Sequence, residues 1–146
     1  MLISCGLMST ERSSVTPERA ARLMLLQRVR AATQSPDPTI RLEGQIARRF
    51  RRLLHAFQHE VRVAGRRVGE IDVELDDVII EVTSGRGRKK FQQIQRLMHN
   101  RDLNPGGKRV VVFGPQLREG LIWQLEQSSA IVVHTLEDLE RLVSRS

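Results

Sequence analysis

The sequence predicts an α/β (α+β) domain with a central mixed β-sheet of about five strands flanked by helices. Three observations support this fold class. Residues 69–85 contain two apolar-polar alternating segments around an acidic pair, which is the pattern of a β-hairpin. An amphipathic helical pattern precedes the hairpin, and two apolar strand patterns, each leading into a helix, follow it. A chain of 146 residues is long enough to form one such domain with its own core.

The first 38 residues are predicted to be an N-terminal tail and a helical extension, and residues 39–146 to be the main domain. The segment Thr16-Pro17-Glu18 is typical of a helix start, with a capping hydroxyl, a proline at the first helical position and an acidic first turn. This helix is expected to end near Ala32, before two prolines interrupt the pattern. Its residues indicate no function.

A second helix is predicted from about Thr39 to Gln58. Its apolar residues recur at spacings of three and four and include Ile46, Phe50, Leu53, Leu54 and Phe57. Glu43 lies on the same stripe, and a carboxylate on a buried helix face is costly unless another group compensates it. The alternative is that Glu43 lies half exposed at the helix start, where the helix dipole favours an acid.

The hairpin at residues 69–85 is predicted to have a two-residue turn at Asp76-Asp77. The resulting cross-strand pairs on its apolar face are Leu75–Val78, Val73–Ile80 and Ile71–Val82. On the other face Asp72 lies opposite Glu81, with Cβ atoms about 5 Å apart. Two carboxylates at this spacing repel unless they share a proton or hold a cation, and Mg²⁺ or Mn²⁺ is a suitable cation. An exposed acidic edge on an ordinary meander is the alternative.

The remaining elements complete a mixed sheet. A strand is predicted at 59–63, a helix at about 89–98, a strand at 108–113, a helix at 116–127, a strand at 130–134 and a last helix ending near 143. The loop Gly85–Lys90 opens the helix at 89–98 with several basic residues. Backbone N–H groups at that helix start, together with Lys89 and Lys90, could hold a phosphate.

The composition favours a polyanionic partner. The chain has 24 Lys and Arg against 17 Asp and Glu, and nucleic acid is the commonest polyanion for such a charge. The predicted nucleic-acid-binding residues are Arg48, Arg49, Arg52, Arg86, Arg88, Lys89 and Lys90. For the arginines of the second helix, a merely solvated face is an equal alternative. Aromatic residues make up only 3% of the chain, which argues against a base-stacking platform.

Other compositional features exclude several classes of protein. The single cysteine, Cys5, rules out an internal disulfide, and no Cys/His spacing is typical of zinc. No apolar run approaches the ~20 residues of a membrane span, so we expect a cytoplasmic protein without a membrane partner.

The order of elements, with Glu43 on the first core helix and Asp72 and Glu81 on adjacent strands, resembles the PD-(D/E)XK nuclease superfamily. This is the fold of restriction endonucleases and Holliday-junction resolvases. The resemblance covers about Thr39 to Val133. The segment GEID, followed by IEV and then by Lys and Gln residues, is most similar to resolvase-type and toxin-type members.

The resemblance implies a restriction-endonuclease-like core and a set of site residues. Asp72 and Glu81 would ligate Mg²⁺ or Mn²⁺, together with the main-chain carbonyl of Val82. Glu43 would bind or orient a second ion or a water, and Gln93 would match a polar residue that the family often carries on the helix after the catalytic strands.

One position departs from the family pattern. Thr83 stands where the family has a lysine that steadies the attacking water and the developing charge. Lys89 or Lys90 could supply this charge from the neighbouring helix. The predicted function is therefore a metal-dependent endonuclease that hydrolyses phosphodiester bonds in DNA or RNA.

The alternative function is a catalytically inactive nucleic-acid-binding or interaction module of the same fold. If the protein is a toxin, an acidic immunity or inhibitor protein is an expected partner. A homodimer is compatible with either function.

Overall fold

The computed structural model describes residues 15–87 and 90–144, and it confirms an α+β fold with a five-stranded mixed sheet. The described helices are α1 (Pro17–Ala32), α2 (Pro38–Arg49), α3 (Lys90–His99), α4 (Glu119–Gln127) and α5 (Leu136–Ser144). The strands are β1 (Leu54–Val63), β2 (Arg66–Leu75), β3 (Val78–Val82), β4 (Arg109–Phe113) and β5 (Ile131–Val133). In these described parts, no helix has both the length and the apolar character needed to cross a membrane.

The sheet combines an antiparallel meander with a parallel half. Strands β1, β2 and β3 pair in antiparallel order, whereas β3, β4 and β5 pair in parallel. Parallel neighbours need a crossover, and α3 and α4 provide the two crossovers. As a result, the carboxyl ends of β3, β4 and β5 lie at one edge of the sheet.

The predicted hairpin register is confirmed for the residues next to the turn. Val73 pairs with Ile80 and Glu74 with Ile79, and only Asp76 and Asp77 separate the two strands. The core contacts explain why this register forms although Asp-Asp is a weak turn sequence, because a slip by one residue would turn the apolar residues away from the core.

The predicted end of the second helix was wrong. Helix α2 ends at Arg49, a single 3₁₀ turn follows at Arg51–Leu53, and β1 begins at Leu54 rather than at His59. Both Leu54 and Phe57 are buried, but as strand residues. A register shift between Leu54 and Ala56 inserts an extra residue, so that core positions follow at a spacing of three, as in a helix.

Helices cover both faces of the sheet and bury two apolar clusters. Alternate residues of β4 separate the faces, since Val111 and Phe113 belong to one cluster and Val110 and Val112 to the other. Helices α1, α2 and α5 contribute to the first cluster, and α3 and α4 to the second. The N-terminal extension shares the first cluster through Val29 and Ala32.

The apolar face predicted for the hairpin needs one correction. Val73 and Val82 belong to the first cluster as expected, but Ile71 belongs to the second cluster together with Ile79. The change occurs beyond Val73, next to Asp72. At that point side-chain carboxylates interrupt the regular strand pairing, so the alternation of side chains is not maintained.

Helices α1 and α2 approach each other closely at Gly44. A Cβ atom at Gly44 would lie 2.7 Å from the backbone nitrogen of Thr33 and 2.8 Å from the Ala32 carbonyl carbon. We expect Gly44→Ala to lower the free energy of unfolding by about 1–3 kcal/mol, because the helices must separate. Chemical denaturation would measure this loss.

The matched control is Gly120→Ala in α4. Its new methyl group would meet only the end of the Arg118 side chain, at 3.3 Å. We expect a gain of up to about 1 kcal/mol from the higher helix propensity of alanine. Equal effects of the two substitutions would contradict close packing at Gly44.

Candidate active site

Three carboxylates meet near the carboxyl end of β3. Asp72 on β2 and Glu43 on α2 are each 6% exposed, and Glu81 on β3 is fully buried. Reciprocal hydrogen bonds between side chain and backbone hold Asp72 beside Glu81. Helix α2 is tied to the same end of the sheet, since the hydroxyls of Thr39 and Ser84 are 2.6 Å apart. The burial of Glu43 excludes the alternative of a half-exposed helix start.

Asp72 and Glu81 each accept a hydrogen bond from the backbone of the other's strand. The N–H of Asp72 donates to Glu81 Oε2, and the N–H of Val82 donates to Asp72 Oδ2, both at 2.9 Å. These two N–H groups are therefore paired with carboxylates instead of carbonyl groups of the opposite strand. This reciprocal arrangement fixes both side chains, and it leaves lone pairs on their oxygens for a further ligand.

Helix α3 adds an amide and an ammonium group to the carboxylate pair. Gln93 Nε2 donates to Glu81 Oε1 at 2.8 Å, and Lys90 Nζ lies 3.5 Å from Asp72 Oδ2. The side chain of Lys90 is only 16% exposed, so this charge is partly shielded from water. The structure thus brings together Asp72, Glu81, Lys90 and Gln93, four residues that the sequence singled out.

Burial and mutual repulsion make this site electrostatically strained. Burial, followed by the charge of Asp72, raises the pKa of Glu81 to about 8. The same two causes raise the pKa of Glu43 to about 7. Lys90 acts in the opposite direction on both acids, but one ammonium cannot balance three ionised carboxylates. A proton or an added cation would relieve the repulsion.

Gln58 is a site residue that the sequence analysis missed. Its Nε2 atom donates to Glu43 Oε1 at 3.1 Å, and this hydrogen bond lowers the pKa of Glu43 against the effect of burial. Gln58 was predicted to end a helix, which hid its position in the sheet. It lies in β1 between the pairs Phe57–Val73 and His59–Ile71, and thus beside Asp72.

Thr83 forms hydrogen bonds with the backbone of β4 and of the loop after β3. Its N–H donates to the Phe113 carbonyl at 3.0 Å, which extends the pairing with β4. Its Oγ1 accepts the N–H of Gly85 at 3.3 Å. The Thr83 hydroxyl is therefore engaged with the loop backbone, and the positive charge beside the acids comes from Lys90.

The predicted nucleic-acid-binding residues do not form one surface. Arg86 is exposed in the loop that follows β3, whereas Arg88 and Lys89 lie outside the described residues. Arg48, Arg49 and Arg52 are exposed near the end of α2, away from the Thr39–Ser84 contact.

The contacts around Arg49 and Arg52 show that these arginines lie away from the three carboxylates. Arg49 forms an ion pair with Glu140 of α5. Leu53, next to Arg52, lines a pocket with Asp76 and Asp77 at the hairpin turn, which is the far end of β3 from Val82.

The donor set fits a hard divalent cation that keeps part of its water shell. Within residues 15–87 and 90–144, no group of three or more His, Cys, Asp or Glu side chains has the arrangement of a metal site. The carboxylate of Glu43 already accepts a hydrogen bond from Gln58. The two remaining carboxylates, Asp72 and Glu81, suffice for Mg²⁺, which is commonly bound through one or two carboxylates and several waters.

Comparison with known proteins does not assign the chain to a family. Neither the protein-family models, nor the curated proteins, nor the solved structures contain a match to it.

The raised pKa values predict an unusual pH dependence of stability. Between pH 4.5 and 8 the folded metal-free protein binds more protons at Glu81 and Glu43 than the unfolded chain does. The free energy of unfolding should therefore fall as the pH rises through this window. Thermal unfolding in EDTA would show a decrease of several degrees in Tm, which Mg²⁺ should partly reverse.

Two substitutions separate this effect from general pH sensitivity. Glu81→Gln keeps the shape of the side chain and should flatten the pH dependence. Glu140→Gln should not remove the fall in Tm, because Arg49 lowers the pKa of Glu140 whereas the fall requires acids with raised pKa values. A Tm that rises with pH in the wild-type protein would refute the electrostatic strain.

Proposed function

We propose that this protein is a metal-dependent nuclease that hydrolyses phosphodiester bonds in DNA or RNA. The observation that carries the proposal is the locked pair of Asp72 and Glu81, flanked by Gln93 and Lys90 of the next helix. The order of these residues along the chain is that of the PD-(D/E)XK superfamily, and the five-stranded mixed sheet is compatible with that fold.

The carboxylate pair would hold the catalytic cation. Asp72 and Glu81 have fixed orientations and free lone pairs, and their repulsion favours a divalent ion over two separate negative charges. Bound Mg²⁺ or Mn²⁺ would polarise the scissile phosphate and lower the pKa of a coordinated water. The hydrogen bond from Gln93 restrains the orientation of the Glu81 carboxylate.

Lys90 takes the charge role that Thr83 cannot fill. Its ammonium group lies 3.5 Å from Asp72 Oδ2, on the first turn of α3. A partly buried ammonium at this place can stabilise the negative charge that develops on the phosphate during attack. Lys89 lies outside the described residues, so the proposal rests on Lys90.

The basic loop after β3 would hold the phosphate backbone of the substrate. Arg86 is exposed in this loop, and its carbonyl accepts the N–H of Arg118 at 3.2 Å, which joins the loop to the start of α4. The exposed arginines Arg86 and Arg118 therefore lie on neighbouring backbone segments. Phosphate contacts of this kind carry affinity without base specificity.

A cleavage assay tests the proposed function directly. We expect the purified protein to cut plasmid DNA, single-stranded DNA or RNA with Mg²⁺ or Mn²⁺ and to be inactive in EDTA. Glu81→Gln should abolish the cutting, because it removes one of the two charges that hold the cation. Gel electrophoresis of the three substrates would identify which nucleic acid is cut.

The result also decides between the nuclease and the alternative function. Binding of nucleic acid in EDTA, without cleavage under any divalent ion, would indicate an inactive binding module. In that case Glu81→Gln would leave the binding unchanged.

Lys90→Met tests the role of the ammonium group. We expect cleavage to slow by about 100- to 1000-fold, the usual effect of removing one group that stabilises developing charge. Mn²⁺ binding should not weaken, because the substitution removes a positive charge from beside Asp72. Single-turnover cleavage and calorimetric titration would measure the two quantities.

Lys108→Met is the matched control for Lys90→Met. Lys108 is similarly shielded and pairs with Glu74 at 2.6 Å, close to the hairpin turn and away from the site. It should keep the cleavage rate at temperatures where it remains folded. Equal losses in both variants would exclude a specific role for Lys90.

A further inference from the structure

The N-terminal helix is connected to the candidate site through a strained residue of β1. Gln58 has a φ angle of 48°, in the left-handed region that residues other than glycine seldom adopt. Such a conformation persists only where the surroundings hold it. Arg28 of α1 provides these contacts, since its Nη2 donates to the Phe57 carbonyl at 2.6 Å and to the Gln58 carbonyl at 3.3 Å.

The strained backbone turns Gln58 toward a carboxylate of the site. In a regular strand the side chains alternate between the two faces, and a left-handed residue interrupts this alternation. Gln58 lies beside Asp72 in the sheet, yet its amide donates to Glu43 of α2. Gln58 thus spans from β1 to the helix that carries the third acid.

We propose that Gln58, held by Arg28 of the N-terminal helix, positions the Glu43 carboxylate beside the Asp72–Glu81 pair. This inference rests on the proposed function, since it gives Glu43 a fixed place from which its charge acts on a cation at the pair. Gln58 is a positioning residue, because it acts through Glu43 and not on the substrate. The N-terminal helix is then part of the active-site scaffold.

Gln58→Gly tests the contribution of the Gln58 side chain independently of its strained backbone conformation. Glycine adopts the left-handed conformation readily, so the variant loses the amide without adding strain. We expect the dissociation constant of Mn²⁺ to rise about 10-fold, as is common when a residue behind a metal site is removed. Gln58→Asn should behave similarly, because its amide is one methylene shorter and does not reach Glu43.

A double-mutant cycle tests whether Gln58 acts through Glu43. In a Glu43→Gln background, Gln58→Gly should cause no further loss of Mn²⁺ affinity or of cleavage. A residue with a purely structural role would reduce both properties by the same factor in either background. Such additive losses, or an unchanged Mn²⁺ affinity in Gln58→Gly alone, would overturn the proposal.

Arg28→Met and Arg22→Met form a matched pair for the helix. Arg22 also donates to backbone carbonyls before and in β1, at Arg51 and Leu54, but it does not contact Gln58. Both variants should lower Tm, whereas only Arg28→Met should weaken Mn²⁺ binding. Equal weakening in both would mean that the helix acts through general stability.

The proposed positioning remains testable if the protein neither binds Mn²⁺ nor cleaves nucleic acid. That outcome would refute the nuclease function. Thermal unfolding in EDTA of the wild type, Gln58→Gly, Glu43→Gln and the double variant would then show whether positions 43 and 58 are coupled. A non-additive Tm change would support the positioning role, and additive changes would refute it.

Discussion

The structure of the candidate site depends on the reciprocal hydrogen bonds between two buried acids and the backbone of adjacent strands. Buried carboxylates are costly unless their charge is compensated. Here each acid accepts an N–H from the other's strand, at Asp72 and at Val82, so the pair also completes the pairing of β2 with β3. The acids could not be replaced by apolar residues without leaving those N–H groups unpaired. The carboxylates of Asp72 and Glu81 thus have a structural role and a proposed chemical role at the same time.

The rest of the site reduces the cost of this pair without removing it. Lys90 supplies one positive charge, Gln93 one amide donor, and Gln58 another donor to Glu43. The raised pKa values of Glu81 and Glu43 show that compensation is incomplete. A site with a remaining excess of negative charge suits a cation better than it suits a purely structural core. This is the physical link between the fold and the proposed nuclease function.

The two faces of the sheet contribute different parts of the site. Helix α3 covers one face and brings Lys90 and Gln93 to the pair, whereas α2 lies on the other face and carries Glu43. The N-terminal helix packs against α2 and reaches the strand next to Asp72 through Arg28. The contact that holds Gln58 therefore depends on this helix.

The sequence by itself determined the hairpin register next to the turn, the mixed five-stranded sheet and the proximity of Asp72 to Glu81. These features follow from local alternation of apolar residues, which reports directly which residues share a face. The tertiary structure alone decided where α2 ends and that Gln58 reaches Glu43. A β-bulge after Leu54 gave the strand a helical spacing, so Gln58 was assigned to a helix. The separation of Arg48, Arg49 and Arg52 from the site likewise depends on how α2 packs along the sheet, which no local pattern encodes. Local periodicity specifies faces, but only packing brings distant side chains into contact.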